Sequence, residues 1–220
     1  MFVRSWCCLL VPVMLSGCDD RAPVVADRPV SATPVIATAE PLPDTVRVRL
    51  DTQAGPIVLA LDTRRAPVTA GNFVRYVDEG RFDDTSFYRA APTKGAPERG
   101  FIQGGIRRNY RLMLPPIPHE PTAKTGLRHE AGTISMARAE EGAGAMGDFF
   151  ILTAAMPSMD AKGDRPGFAA FGRVVDGMAT VREILAAPTV PNAGRGAMRG
   201  QMLAQPVRIL TARRVDNSRN

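Results

Sequence analysis

Two histidine–glutamate pairs carry the most reactive side chains in this sequence of 220 residues, which contains two histidines in all. His119-Glu120 and His129-Glu130 lie ten positions apart, and imidazole and carboxylate groups are common zinc ligands. Pro121 lies between the pairs and prevents a single helix from presenting both, and no cluster of Cys or Asp joins them. We therefore predict no metal site at these pairs, and we assign these residues to loops and strand ends.

A cysteine thiol at the end of an apolar leader is the next candidate for chemistry. Arg4 precedes an apolar run over residues 6–15, which is too short to cross a bilayer as a helix and indicates a cleaved export signal. The run ends in Leu15-Ser16-Gly17-Cys18, which is similar to the lipobox of bacterial lipoproteins. We predict a signal peptide over residues 1–17 and lipidation at Cys18; an ordinary export signal with a cysteine nearby is the alternative.

Three further segments follow the leader. Residues 18–44 contain five prolines without sustained periodicity, which predicts an extended linker. Residues 45–215 show the patterns of a folded domain, with residues 216–220 as a tail. The apolar fraction of 45% is enough for a hydrophobic core and is not typical of disordered or fibrous chains.

Positive charge is concentrated near the C-terminus. Residues 191–220 hold six arginines against one aspartate, within a net charge of +6 for the whole chain. Such a segment suits anionic lipid or nucleic acid. Because the leader directs the chain out of the cytoplasm, we expect no nucleic-acid partner and interpret the arginines as a solvated basic face.

The elements that must position any active site are short strands with two helices. Residues 46–50 and 57–61 alternate apolar and polar side chains around a Gly-containing turn, which predicts a β-hairpin. Helices are predicted from Pro67 to Gly80 and from Met178 to Ala186. The remaining predicted strands are Ser86–Tyr88, Phe101–Gln103, Thr133–Ala137, Phe149–Leu152, Phe168–Arg173 and Val207–Val215. This pattern predicts a closed β-barrel capped by helices.

Five ordered motifs resemble the cyclophilin family of peptidyl-prolyl cis–trans isomerases. They are APVTAGNFVRYVDEGRFDDTSFYRA, GFIQGG, TGLRHEAGTISMAR, GDFFILT and FAAFGRVVDGMATV, and the match runs from about Thr45 to Val215. The resemblance implies a mainly β fold, a closed eight-stranded antiparallel barrel with a helix over each open end. It also implies a reaction that needs no nucleophile, metal or cofactor, which fits the apolar stretch from Gly132 to Thr153.

Rotation of a prolyl bond makes and breaks no covalent bond, but amide resonance imposes a barrier of about 18–20 kcal/mol. The resemblance implies that Arg89 is catalytic, donating to the lone pair that the proline nitrogen gains in the twisted state, and that Gln103 steadies it. Without the surrounding motif, Arg89 would be interpreted as a surface residue of a strand. The substrate-binding residues implied by the resemblance are Phe101, Ala137, Arg138, Asp148, Phe150, Met159 and Phe168.

Several positions depart from the best-known members of the family. Tyr88 replaces a His, Asp148 a Gln, Met159 a Trp and Phe168 another His. The connection between the Arg89 and Phe101 strands is longer, which leaves two pocket positions of the family open for Phe101. We interpret these changes as altered specificity rather than lost catalysis. Asp148 is the most consequential, since its carboxylate could pair with Arg89 and compete with substrate.

We therefore expect a monomeric, exported prolyl isomerase, anchored by lipid to a membrane of the bacterial periplasm. Its partners would be proline-containing peptides and envelope proteins during folding. The alternative is a non-catalytic proline-peptide binding module, or a chaperone, on the same barrel.

Overall fold

The computed structural model describes residues 41–107, 109–138 and 145–216. The predicted signal peptide, Cys18 and nearly all of the predicted linker lie outside these residues, as does most of the Ala-Gly loop that follows Arg138. Within the described part of the chain, no helix is long and apolar enough to cross a membrane.

An antiparallel β-barrel forms the body of the described chain. Its strands are β1 (Thr45–Thr52), β2 (Gly55–Asp62), β3 (Ser86–Thr93), β4 (Ala96–Gly105), β5 (Thr133–Met136), β6 (Asp148–Leu152), β7 (Ala169–Asp176), β8 (Thr189–Val190) and β9 (Met202–Val215). Eight strands close in the order β1-β2-β7-β5-β6-β4-β3-β9, because β9 also pairs with β1, and the short β8 extends the sheet beside β9. The predicted mainly β, eight-stranded barrel is confirmed.

Three α-helices lie in the described residues: α1 (Pro67–Asp78), the four-residue α2 (Thr122–Thr125) and α3 (Met178–Ala186). Pro67 begins α1, where its missing N–H costs nothing. The α1 helix has no side-chain cap of its own, but the buried Glu120 carboxylate accepts hydrogen bonds from Thr69 N at 2.6 Å and Thr69 Oγ1 at 2.7 Å. A carboxylate there satisfies free N–H groups and complements the helix dipole. Glu120 lies in a loop as predicted, but the sequence did not predict this cap.

Aromatic side chains fill the barrel beneath α1. Phe73 of α1 packs against Phe149 and Phe171 with ring centroids 5.3 Å from each, and Phe82 also contacts Phe73 and Phe149. Because side chains alternate along a strand, Phe149 points into this core while Phe150 faces the opposite way. One of the two was expected to be core, and that residue is Phe149.

The long connection after Arg89 folds as an extension of two strands rather than as a loop. The β3 strand continues to Thr93 and β4 begins at Ala96, so only two residues join them. Gly100 lies at φ 149°, and a Cβ there would come within 2.3 Å of Ala91 O, which fits the irregular pairing of this hairpin. The register places Arg89 directly across from Gln103.

The basic C-terminal segment is exposed to solvent as expected, but its arginines also form ion pairs that the sequence did not predict. Much of it is strand β9, and three of its arginines pair with carboxylates at and after the end of α1. Arg213 donates both of its Nη groups to Asp83 at 2.7 Å, and these hydrogen bonds lower the pKa of that carboxyl. The arginines therefore tie the last strand to the helix layer.

Candidate active site

All nine residues that the sequence nominated for catalysis and substrate binding line one groove of about 960 Å³ on the outer side of the barrel. They are Arg89, Phe101, Gln103, Ala137, Arg138, Asp148, Phe150, Met159 and Phe168. They come from β3, β4, β6 and the segments after β5 and before β7. Their roles stay predictions, but the structure brings them together.

One edge of the Arg89 guanidinium is held by the neighbouring strand. Arg89 Nη1 donates to Gln103 Oε1 at 2.8 Å, and Gln103 Nε2 donates to the Tyr88 hydroxyl at 2.8 Å. Tyr88 and Gln103 are buried, so this chain fixes the orientation of the amide. Burial, with a smaller contribution from Asp148, raises the pKa of Tyr88, which keeps the phenol neutral. Tyr88 therefore orients Gln103 from the position where the family resemblance implied a His.

A second glutamine holds the other edge of Arg89. Arg89 Nε and Nη2 both donate to Gln201 Oε1, at 2.9 and 2.6 Å. Gln201 immediately precedes β9, in the segment that the sequence analysis interpreted only as a basic face, so its contact with Arg89 was not predicted. Burial lowers the pKa of Arg89, but a guanidinium in a protein stays protonated at neutral pH.

Three phenylalanines form an apolar cage beside this guanidinium. The ring of Phe150 lies 5.4 Å from that of Phe101 and 5.3 Å from that of Phe168, which meets it nearly edge-on at 88°. Arg89 lies over the face of Phe101, 4.9 Å from the ring centroid. Met159 is half-buried in the same groove and accepts the backbone N–H of Phe168 at 2.9 Å. The cage can take a small apolar ring and leave its nitrogen near Arg89.

A buried histidine supports the cage from behind. His129 stacks on Phe150 at 12° with centroids 6.2 Å apart. The Asp160 carboxylate can only accept, so His129 Nδ1 donates to it at 2.7 Å and Nε2 accepts from Ser135 Oγ at 2.9 Å. Burial lowers the pKa of His129, partly offset by Asp160. His129 lies within a quoted motif, but no pattern in the sequence predicted its contact with Phe150.

At the rim of the groove formed by Ala137, Arg138 and Asp148, the hydrogen bonds differ from the pairing of Asp148 with Arg89 that the sequence suggested. Asp148 Oδ1 accepts the backbone N–H of Arg107 at 2.8 Å, whereas Arg89 is bonded to the two glutamines. Ala137 donates its backbone N–H to Asp148 O at 2.9 Å, which fixes this rim to β6. The Arg138 guanidinium lies 5.3 Å from the Phe168 ring centroid.

The opposite wall of the groove was missed by the sequence analysis. It comes from β8, the following loop and the start of β9, and its lining residues are Val190, Ala193, Gly194, Arg195, Ala197, Met198, Met202 and Leu203. Val190 is 41% exposed, so this wall offers accessible apolar surface. Irregular backbone without periodicity gave no signal from which the wall could have been predicted.

The sequence model of the family described as cyclophilin type peptidyl-prolyl cis-trans isomerase/CLD matches residues 46–214. Peptidyl-prolyl cis-trans isomerase A of Dickeya dadantii is 42% identical over 142 residues, covering 62% of this chain and 70% of that protein. A peptidyl-prolyl cis-trans isomerase of Acinetobacter baylyi is 31% identical over 178 residues, covering 80% and 89%.

A solved cyclophilin type isomerase of Cryptosporidium parvum superposes with a TM-score of 0.60 at 18% identity, covering 79% of this chain and 99% of that one. At this identity the likeness shows the fold alone. The family match spans the whole barrel, and the bacterial relatives align across most of it. The chain therefore belongs to the cyclophilin family and is a peptidyl-prolyl cis-trans isomerase.

Proposed function

We propose that this isomerase rotates Xaa-Pro bonds in the groove with the assistance of Arg89, on proteins that fold in the bacterial envelope. The observation that carries the mechanism is the position of one guanidinium. It lies against Phe101 of the apolar cage and is held by Gln103 at 2.8 Å. An apolar pocket beside a fixed cation is what a twisted prolyl amide requires.

The cage supplies the binding. The proline ring would pack on Phe150 between Phe101 and Phe168, so that the ring stays fixed while the preceding carbonyl swings. Burial of a small ring against these faces is favourable in both the planar and the twisted states. This uniform binding lowers KM but does not by itself raise kcat.

Arg89 supplies the selectivity for the twisted state. As the amide loses resonance, the proline nitrogen becomes pyramidal and gains a lone pair, to which an Arg89 N–H can donate a hydrogen bond. The guanidinium has five N–H donors, so it can keep its contacts with Gln103 and Gln201 and still donate to substrate. This bond does not exist with the planar amide, so it stabilises the transition state over the ground state.

Replacing Arg89 tests this mechanism. Arg89→Ala is expected to lower turnover of an Ala-Pro peptide at least tenfold, measured by a protease-coupled or NMR-exchange assay. The related structure from Cryptosporidium parvum was determined in the presence of the dipeptide Ala-Pro, which supports this choice of substrate. Arg99→Ala, at an exposed position on the same hairpin, is the matched control. Equal rates for Arg89→Ala and the parent would refute the assigned role.

The envelope location rests on the leader and on Cys18, which lie outside the described residues. The short apolar run and the lipobox-like Leu15-Ser16-Gly17-Cys18 favour export and lipidation, and the proline-containing linker would hold the barrel away from the membrane. The clients would then be proline-containing proteins that fold in the envelope. The enzyme would act on them as a monomer.

Lipid attachment predicts a specific phenotype for Cys18→Ser. The variant should partition into the aqueous phase of a detergent extraction, whereas the parent should enter the detergent phase. Cys8→Ser, in the leader, should behave as the parent does. Unchanged partitioning of Cys18→Ser would contradict lipidation and leave the isomerase mechanism untouched.

A further inference from the structure

The loop that precedes β9 contacts the guanidinium of Arg89 mainly through the side-chain oxygen of Gln201, with a longer contact from Nη2 to Ala197 O at 3.5 Å. Gln201 Oε1 accepts from Arg89 Nε at 2.9 Å and from Nη2 at 2.6 Å, while Gln103 Oε1 accepts from Nη1 at 2.8 Å. The Gln103 contact alone would leave the guanidinium free to swing about it. Contacts at both ends of the planar group fix its orientation, and the two amide acceptors do so without neutralising its charge.

The backbone holds Gln201 in place for this contact. Gln201 O accepts the N–H of Ala90, the residue next to Arg89, at 3.0 Å, and Gln201 N donates to Met198 O at 3.1 Å. The loop is closed by a bond from Gly200 N to Ala193 O at 2.8 Å. The oxygen that meets Arg89 is therefore presented by a hydrogen-bonded loop anchored on β3.

Space inside the loop is restricted as well. Gly194 lies at φ 87°, and a Cβ there would come within 2.4 Å of Met198 O. A side chain at this position would both require a strained backbone and collide with the carbonyl. The compact shape that brings Gln201 to β3 thus depends on a glycine seven residues away.

We propose that Gln201 is a positioning residue for the isomerisation: it aims the Arg89 guanidinium at the proline nitrogen. The inference rests on the proposed role of Arg89. Gln201 acts through Arg89 and need not touch the substrate. Its removal should therefore impair the step in which the amide is twisted more than it impairs binding of the planar peptide.

The test is the variant Gln201→Leu, which keeps the volume but removes the acceptor. We expect kcat for an Ala-Pro peptide to fall at least about fivefold, with a change in KM of less than about twofold. The Arg89 Nε–H signal in nitrogen-15 NMR should shift and lose protection from exchange. Gln205→Leu, at an exposed position four residues later, is the matched control and should resemble the parent.

A double-mutant cycle separates positioning from a merely structural role. In the Arg89→Ala background, Gln201→Leu should cause no further loss of turnover, because there is no guanidinium left to aim. An equal loss in both backgrounds would overturn the inference, as would a fully active Gln201→Leu protein. If Arg89→Ala itself were fully active, the proposed mechanism would fail instead, so the two failures are distinguishable.

Discussion

The two edges of the Arg89 guanidinium are held by two glutamines from different kinds of structure. Gln103 lies on β4, paired with β3, only 14 positions from Arg89 in sequence, and it is buried. Gln201 lies in a loop 112 positions away and is half-buried. The contact of Arg89 with Gln103 therefore belongs to the folded core of the barrel, whereas its contact with Gln201 is added near the surface.

Because of this difference, we expect replacements of the two glutamines to have distinguishable effects on activity and on stability. Loss of the strand contact should affect both activity and stability, because buried polar groups depend on it. Loss of the loop contact should affect activity with little effect on the free energy of unfolding. The same comparison extends to the residues around the cage, where Met159 is half-buried and His129 is fully buried.

The largest combined effect is expected for Gln103→Leu. Turnover should fall at least tenfold because Arg89 loses its strand contact. The buried Tyr88 hydroxyl would also lose the hydrogen bond that Gln103 donates to it, and this loss should lower the free energy of unfolding by about 1–3 kcal/mol. Urea denaturation and an isomerase assay on the same samples measure both quantities. An unstable Gln201→Leu beside a stable Gln103→Leu would reverse the comparison.

A smaller effect concerns cyclosporin, the inhibitor associated with this family, whose binding depends partly on the indole N–H of the Trp that the family resemblance aligns with Met159. Methionine can fill the pocket wall but cannot donate that hydrogen bond, which costs roughly 1–3 kcal/mol, or about ten- to a hundredfold in affinity. Met159→Trp should therefore tighten cyclosporin binding about tenfold by calorimetry, while Met156→Trp, outside the groove lining, should not. Tight binding by the parent protein would contradict the alignment of Met159.

The smallest effect is a pH dependence of stability that originates beneath Phe150. Burial lowers the pKa of His129 in the folded protein, so the unfolded chain, with a histidine pKa of about 6.5, takes up the proton first. The contribution of neutral His129 to the free energy of unfolding is complete above about pH 6.5, and it declines as the pH falls toward the lower pKa of His129 in the folded protein.

We expect His129→Gln to weaken the fall in the free energy of unfolding between about pH 7.5 and 5.5. Urea denaturation across this range measures it. His119→Gln, at a half-buried position bonded to Pro166 O, is the control and should keep the parent profile. If His129→Gln kept the full pH slope, groups other than this histidine would be responsible.

The contrast between Gln103 and Gln201 also shows what the sequence could predict. Alternation of apolar residues predicted the barrel, and motifs carried on paired strands brought Arg89, Gln103 and Phe150 together. Strand pairing has a repeating geometry, so residues within it can be placed once the fold is known. The extension of β3 and β4 was missed, because the residues of their connecting turn gave no apolar alternation.

Contacts between distant residues in irregular backbone could not be predicted in this way, because no repeating pattern in the sequence marks them. Gln201, His129 and Glu120 each lie outside a strand or helix, and each bonds to a partner set by tertiary packing. The ion pairs of the β9 arginines were missed for the same reason, since their partner carboxylates lie far away in sequence. Composition gave their charge but not their partners.

We expect a guanidinium oriented at both edges, rather than a positive charge alone, to promote the rotation. Arg89→Lys keeps the charge but cannot form the planar contacts with Gln103 and Gln201. NMR exchange on a saturating Ala-Pro peptide measures the rate of rotation on the enzyme separately from the peptide Kd. We expect this rate to fall at least tenfold in Arg89→Lys while Kd changes less than about threefold. Rotation in Arg89→Lys as fast as in the parent would show that orientation of the guanidinium is not required.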